Sequence, residues 1–282
     1  MKLKNWFELI GIKGDSKRFG TKLEEFKIDG HGVLNYANWM HPKEKKKTIT
    51  NEDVNCYRKF LNKGDFCIDI GAHTGDSTLP MAVAVEKEGL VLAFEPNHFV
   101  YPVLQQNCFS NREKLNIIPV FGAAHSKDEE LKFQYSDQYY CNGGDLSDVS
   151  VFKRGHNYEL SVLGIDIKKF LELYFKKEMK NLKFIKTDTE GNDFYIINSL
   201  EAILKKYRPV LKSEVFKQTS HEYRLNFLKF LKGLEYDIYF VCKEPCYISY
   251  VIDERNISEI AHYDFLAIPQ EKSQDLLTKL KL

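Results

Sequence analysis

The feature that most constrains this chain is a series of short, unbroken apolar runs alternating with helical segments. Runs at 66–70, 90–94, 116–121, 182–187 and 210–215 each span five or six residues. Segments at 77–85, 99–108, 165–175, 193–206 and 225–234 carry apolar residues at helical spacing. Continuous apolar strands between helices indicate parallel strands covered on both faces, so an α/β doubly wound, mostly parallel sheet is expected. Late strands at 236–241, 246–252 and 263–268 read as partly antiparallel. Between residues 126 and 160 the alternation breaks. Residues 131–135 alternate with period two, like a hairpin strand, and 136–160 form a long polar stretch with Tyr139, Tyr140 and Phe152 in it. A helix is predicted over 48–61, capped by Thr50 or Asn51 with Asp53 in its first turn. Residues 1–50 read as a polar, aromatic-dotted N-terminal extension, 51–270 as one domain and 271–282 as a tail.

The chemistry gathers where the runs end. Asp69-Ile70-Gly71-Ala72-His73-Thr74-Gly75 follows a buried strand and precedes a helix. Gly71 permits a tight turn, and Gly75 permits close backbone approach. Glu95-Pro96 ends the next run, where an acid suits the paired hydroxyls of a ribose. A dinucleotide site wants G-x-G-x-x-G, which is missing. An acid at the turn would repel a pyrophosphate but suits a cationic amino-acid end. The cofactor expected is therefore S-adenosyl-L-methionine (SAM), and an NAD-dependent dehydrogenase is disfavoured.

A second acidic group, Asp188-Thr189-Glu190-Gly191, closes the fourth run, and Glu214 closes the fifth. Ligands bind at the carboxyl ends of strands in such sheets, so these acids are expected at the same crevice as Asp69 and Glu95. Asp188, Glu190 and His73 are the catalytic candidates, because methyl transfer to a hydroxyl needs a positioned proton acceptor. The structural alternatives are an N-cap role for Asp188 and a helix-dipole role for Glu190. A divalent ion on Asp188, Glu190 and Glu214 would suit carboxylates, but no spacing demands one and no metal is expected.

Composition narrows the partners. With 41 basic and 40 acidic side chains the net charge is +1, so a dedicated DNA binder is not expected. The KEKKK run at 43–47 reads as a solvated charge run, or more weakly as a patch for an anionic partner. No apolar stretch is long enough to span a bilayer, and the first 20 residues lack a signal-peptide core. The six cysteines form no CxxC pair, and reduced thiols in a cytoplasmic protein are expected. The oligomeric state is left open.

These segments together resemble the FkbM family of SAM-dependent methyltransferases. The resemblance runs from about residue 65 to 269 through five pieces in order: 69–75, Ala93-Phe94-Glu95-Pro96, 184–191, 208–214 and 264–269. It implies a Rossmann-like class I methyltransferase fold with a seven-stranded, mostly parallel sheet and helices on both faces. It implies O-methylation of a hydroxyl on a sugar, a glycan or a small metabolite. The cofactor-binding set is then Asp69, Gly71, Ala72, Thr74, Gly75, Glu95 and Pro96, with Asp188 and Glu190 near the acceptor. The chain differs at His73, where the family usually has Asn, and His still donates a hydrogen bond. Tyr139, Tyr140 and Phe152 are candidates to stack on an acceptor. The rivals are an RNA 2′-O-methyltransferase, with Asp188 and Glu214 as its acids and Lys186, Lys212 and Lys217 nearby, and a non-catalytic SAM-binding module.

Overall fold

A computed structural model of the chain describes residues 17–135, 143–145 and 158–280. Tyr139, Tyr140 and Phe152 lie outside the described residues. The chain opens with an antiparallel hairpin, β1 (Thr21–Ile28) and β2 (Gly32–Trp39). Helix α1 (Asn51–Tyr57) is shorter than the spacing predicts. Its start is as expected: the Thr50 hydroxyl accepts from the Asp53 backbone N–H at 3.2 Å, and Asp53 accepts from the Thr50 N–H at 2.8 Å.

Next come β3 (Phe66–Ile70), α2 (Thr78–Val85), β4 (Leu90–Glu95), α3 (Tyr101–Ser110) and β5 (Ile117–Phe121). A second sheet of four strands follows: β6 (Ala123–His125), β7 (Glu129–Tyr135), β8 (Gly143–Asp145) and β9 (Tyr158–Asp166). The alternation in 131–135 is that of a half-buried strand, with Leu131, Phe133 and Tyr135 turned inward. Then come α4 (Ile167–Tyr174), β10 (Leu182–Thr187), α5 (Asp193–Ser199), α6 (Glu201–Tyr207), β11 (Val210–Val215) and α7 (His221–Gly233). The chain finishes with β12 (Tyr236–Lys243), β13 (Tyr247–Val251), β14 (Tyr263–Pro269) and α8 (Gln270–Leu280).

The main sheet has the order β13-β12-β14-β11-β10-β3-β4-β5. The five strands from β11 to β5 are parallel, whereas β14, β12 and β13 pair antiparallel. The expected count was seven. The eighth is β13, which folds back on β12 across Glu244-Pro245 and extends the edge.

Strand residues alternate between two cores. Ile68, Ile70, Leu92 and Phe94 pack with Leu171, Ile197, Leu204 and Leu231 from α4 to α7. Cys67, Val91 and Phe184 pack on the other face with Val54, Met81, Val83 and Leu276 from α1, α2 and α8. Both faces are buried, which is why these strands read as unbroken apolar runs.

The order of the strands positions the site. From β3 the chain runs outward through β4 to β5, then returns to the other side of β3 as β10. The crossover connections on either side of β3 therefore lead in opposite directions. A crevice opens at the carboxyl ends of β3 and β10.

Cysteine pairing departs from expectation. Cys56 in α1 and Cys246 beside β13 form a disulfide across 190 residues of chain. No local spacing signals such a bridge, because packing of the β12–β13 edge near α1 brings the two together. Among the described residues Cys67, Cys108 and Cys242 are free thiols. No described helix is long and apolar enough to cross a membrane.

Candidate functional site

At the switch point β3, β4 and β10 are stitched together just where they end. The Gly71 and Ala72 N–H groups both donate to the Phe94 carbonyl, at 3.1 and 2.9 Å. The Asp188 N–H donates to the Ile70 carbonyl at 3.0 Å. Gly71 has φ 77°, and a Cβ there would lie 1.9 Å from the Asp188 carbonyl oxygen. Only glycine fits on both counts. His73 follows with φ 50°, and Glu190 and Gly191 repeat the left-handed geometry at 56° and 113°.

A cavity of about 460 Å³ lies over these strand ends. One end is lined by Gly71, His73, Asp76, Glu95, Pro96 and Asn97. The other end is lined by Lys186, Asp188, Glu190, Glu214, Phe216, Lys217 and His262. Leu131, Phe133 and Tyr135 of the second sheet form part of the wall.

The predicted residues divide into those that face the cavity and those that hold its walls. His73, Gly71, Glu95, Pro96, Asp188 and Glu190 face it. Asp69 is fully buried below: its Oδ2 accepts from the Thr78 hydroxyl at 2.6 Å, and its Oδ1 lies 3.6 Å from the Lys186 ammonium. Ala72 packs on Ala93, Leu104 and Cys108. The Thr74 hydroxyl is held by Tyr36 at 2.7 Å, and its carbonyl accepts from the Asn107 amide at 2.7 Å. A Cβ at Gly75 would meet the side chains of Leu104 and Leu79 at 3.1 and 3.2 Å. Asp188 is not an N-cap. Asn192 occupies that position before α5, without a side-chain cap bond.

Glu95 is the best-held acid. One carboxylate oxygen accepts from the His73 N–H at 2.9 Å and the other from the Asn97 N–H at 2.8 Å. Burial still raises its pKa, despite these amides and His73. Lys186, on β10 beside Asp69 of β3, is buried as well. Burial alone would push its pKa down. The Asp188 carboxylate at 3.3 Å and the Asp69 carboxylate reverse this and hold the lysine well above its ordinary value, charged. Lys186 thus ties the glycine turn to the second acidic group.

That second group is larger than expected. Burial, reinforced by Asp188, Asp193, Glu190 and Asp264, drives Glu214 strongly upward. One Glu214 oxygen lies 3.3 Å from His262 Nε2, and the other is buried without a hydrogen-bond partner. Lys212 takes no part in the cavity: it is buried against Asp264 at 3.0 Å and against Glu244. A lysine of the expected RNA-type set is therefore committed elsewhere. Among the described residues no group of three or more His, Cys, Asp or Glu is arranged to hold a metal ion.

Sequence reasoning missed Lys47, Glu44, Asp76, Asn97 and His262, all of which line the cavity. Lys47 belongs to the KEKKK run and lies 2.9 Å from Asp76. The only signal it offered was its charge. Asp76 lies one residue beyond the glycine turn and was legible in principle.

Sheet order and cavity position define a doubly wound α/β protein with an acid-lined crevice at the switch point. Residues 69–238 match the methyltransferase FkbM domain, and the chain belongs to that methyltransferase family. No curated protein matches it. Among solved structures it is similar to the methyltransferase FkbM from Methylobacillus flagellatus (12% identity, TM-score 0.47), with 77% of this chain and 51% of that chain covered. The chain thus spans about half the length of that protein. It is also similar to a SAM-dependent O-methyltransferase from Thermotoga maritima (12% identity, TM-score 0.42, 88% of this chain and 77% of that one). A third is TYW2 from M. jannaschii in complex with AdoMet (13% identity, TM-score 0.41, 90% and 87% covered).

Proposed function

We propose that the protein is a SAM-dependent O-methyltransferase acting on a hydroxyl of a sugar, a glycan or a small metabolite. The observation that carries this reading is the meeting of Glu95, the Gly71 turn and Asp188 around one cavity at the switch point. The donor set suits SAM. Glu95 is a fixed carboxylate for ribose hydroxyls, and the buried His73 Nε2 has no hydrogen-bond partner. When bound, SAM supplies a methyl group on a sulfonium, an electrophile that needs no metal and no oxidant.

The rest is work for the chain's own residues. Gly71 lets the turn lie against Asp188, which keeps the two ends of the cavity adjacent. The second sheet supplies an apolar part of the cavity wall through Leu131 and Phe133. Asp188, about half exposed and facing the cavity, accepts the acceptor's proton as the oxygen attacks. Glu190 lies within two residues of it and helps hold the acceptor hydroxyls. The acid-rich acceptor end favours a neutral, hydroxyl-bearing acceptor over a polyanion.

A methyl-transfer assay with labelled SAM against glycans, small phenols and capped RNA tests the reading. Transfer to a glycan or small hydroxyl compound supports it, and transfer to RNA alone would replace it. Asp188→Asn is expected to keep the cofactor and to lose about 10²–10⁴-fold in turnover. Full activity in that variant would remove Asp188 as the proton acceptor.

A further inference from the structure

The Lys47–Asp76 pair has no part in the scheme above, yet it lines the cavity beside the glycine turn. Its setting is built rather than incidental. The Lys47 backbone is clamped to β2: its N–H donates to Asn38 Oδ1 at 2.7 Å, and its carbonyl accepts from Asn38 Nδ2 at 3.2 Å. The ammonium then reaches Asp76 Oδ2 at 2.9 Å, with Glu44 Oε1 at 3.6 Å. Both Lys47 and Asp76 side chains are only about one-third exposed, at 34% and 31%. Burial pushes Asp76 upward, and Lys47 more than offsets this, so the carboxylate stays ionised.

The cavity therefore has three electrostatically different places. Glu95 stands at the β4 end, and Asp188 and Glu190 stand at the β10 end. On the α2 side of the turn the Lys47 ammonium is paired with Asp76, with the Glu44 carboxylate behind it. SAM has three corresponding parts: a ribose, a methyl donor that must face the acceptor, and an amino-acid end with one ammonium and one carboxylate. A zwitterion meets an ion pair by exchange, each charge facing its opposite, so that one salt bridge becomes two.

We propose that Lys47 and Asp76 are the recognition pair for the amino-acid end of the cofactor, Lys47 for its carboxylate and Asp76 for its ammonium. This rests on the SAM reading above. It brings the N-terminal segment into the binding site and gives the one inward-reaching lysine of the charge run a specific task. The rival role is purely structural, with Lys47 fastening its segment to the turn.

Calorimetry with two probes separates the roles. S-adenosylhomocysteine carries the amino-acid end, whereas 5′-methylthioadenosine has the same nucleoside thioether without it. Lys47→Ala is expected to weaken S-adenosylhomocysteine binding tenfold or more and to leave 5′-methylthioadenosine within about twofold of wild type. Lys47→Arg should restore most of the loss. Equal weakening of both probes, or no weakening of S-adenosylhomocysteine, would overturn the assignment. If 5′-methylthioadenosine binds too weakly to measure, the arginine variant decides: no recovery over alanine would overturn it. Wild-type protein that binds neither probe would instead remove the SAM reading itself. Thermal melts of the ligand-free variants check that the segment remains in place.

Discussion

Among the described glycines, Gly71 has the closest approach to its surroundings. Its left-handed backbone and the Asp188 carbonyl both exclude a side chain. Gly71→Ala is expected to cost at least about 3 kcal/mol in urea unfolding. Gly75→Ala should cost less, about 1–2 kcal/mol, because the neighbours there are flexible leucine ends. Equal costs would contradict this view of the turn. Asp193 gives a pH signature. Burial, with Asp188 nearby, raises it from 3.8 to about 7. Between those values the unfolded chain has released the proton while the native protein keeps it, so stability falls as pH rises through the window. From pH 5.5 to 7 this one group removes about 2 kcal/mol. Asp193→Asn should lack that part of the slope, and parallel slopes in both proteins would refute the assignment. Glu95 and Asp188 were legible because each closes an apolar run, where the chain must leave the sheet at its ligand-binding edge. Asp69 was legible as an acid at the turn, but not as a buried one, since its burial depends on Lys186 from a strand over a hundred residues later. Lys47 was hidden by its neighbours, because nothing in five consecutive charges marks Lys47 and Glu44 as the two that turn inward.

At the level of elements, the hairpin β1–β2 was the main surprise. Its first strand alternates irregularly and buries only Ile28 fully, so its sequence lacks the contrast that marks a strand. Its second strand does bury Leu34, Tyr36, Ala37 and Trp39, yet their partners lie elsewhere in the chain. Asn107 of α3 shows how it is held: its side-chain oxygen accepts from the Ala37 N–H at 2.5 Å, while its amide donates to the Ala37 and Thr74 carbonyls. The hairpin therefore braces the glycine turn through α3 and through Tyr36. Tyr36→Phe leaves the buried Thr74 hydroxyl without its partner and should cost about 1–3 kcal/mol in chemical unfolding. An unchanged midpoint would show that the contact is not a brace. The helix predicted over 193–206 is divided at Leu200, whose backbone stands at φ −92° and ψ 10°. No Gly or Pro marks the break, so helical periodicity alone ran straight through it.

At the scale of the whole molecule, the alternation of runs and helices carried the fold class, because buried parallel strands have no polar face to disguise them. The strand at 246–252 was legible, though not its place as an eighth strand at the sheet edge, and the Cys56–Cys246 bridge, which joins distant segments, was not. That bridge ties α1 to the far edge of the main sheet. Peptide mapping without reductant should recover the Cys56–Cys246 crosslink, and Cys56→Ser should lower stability by about 2–5 kcal/mol. On the proposed function, strand order, glycine turn and acids together form one SAM site. Calorimetry of wild type and Glu95→Ala with S-adenosylhomocysteine tests it most directly. Saturable one-to-one binding by wild type, weakened tenfold or more in the variant, is the expected result. No binding by wild type, or equal binding by both proteins, would contradict it.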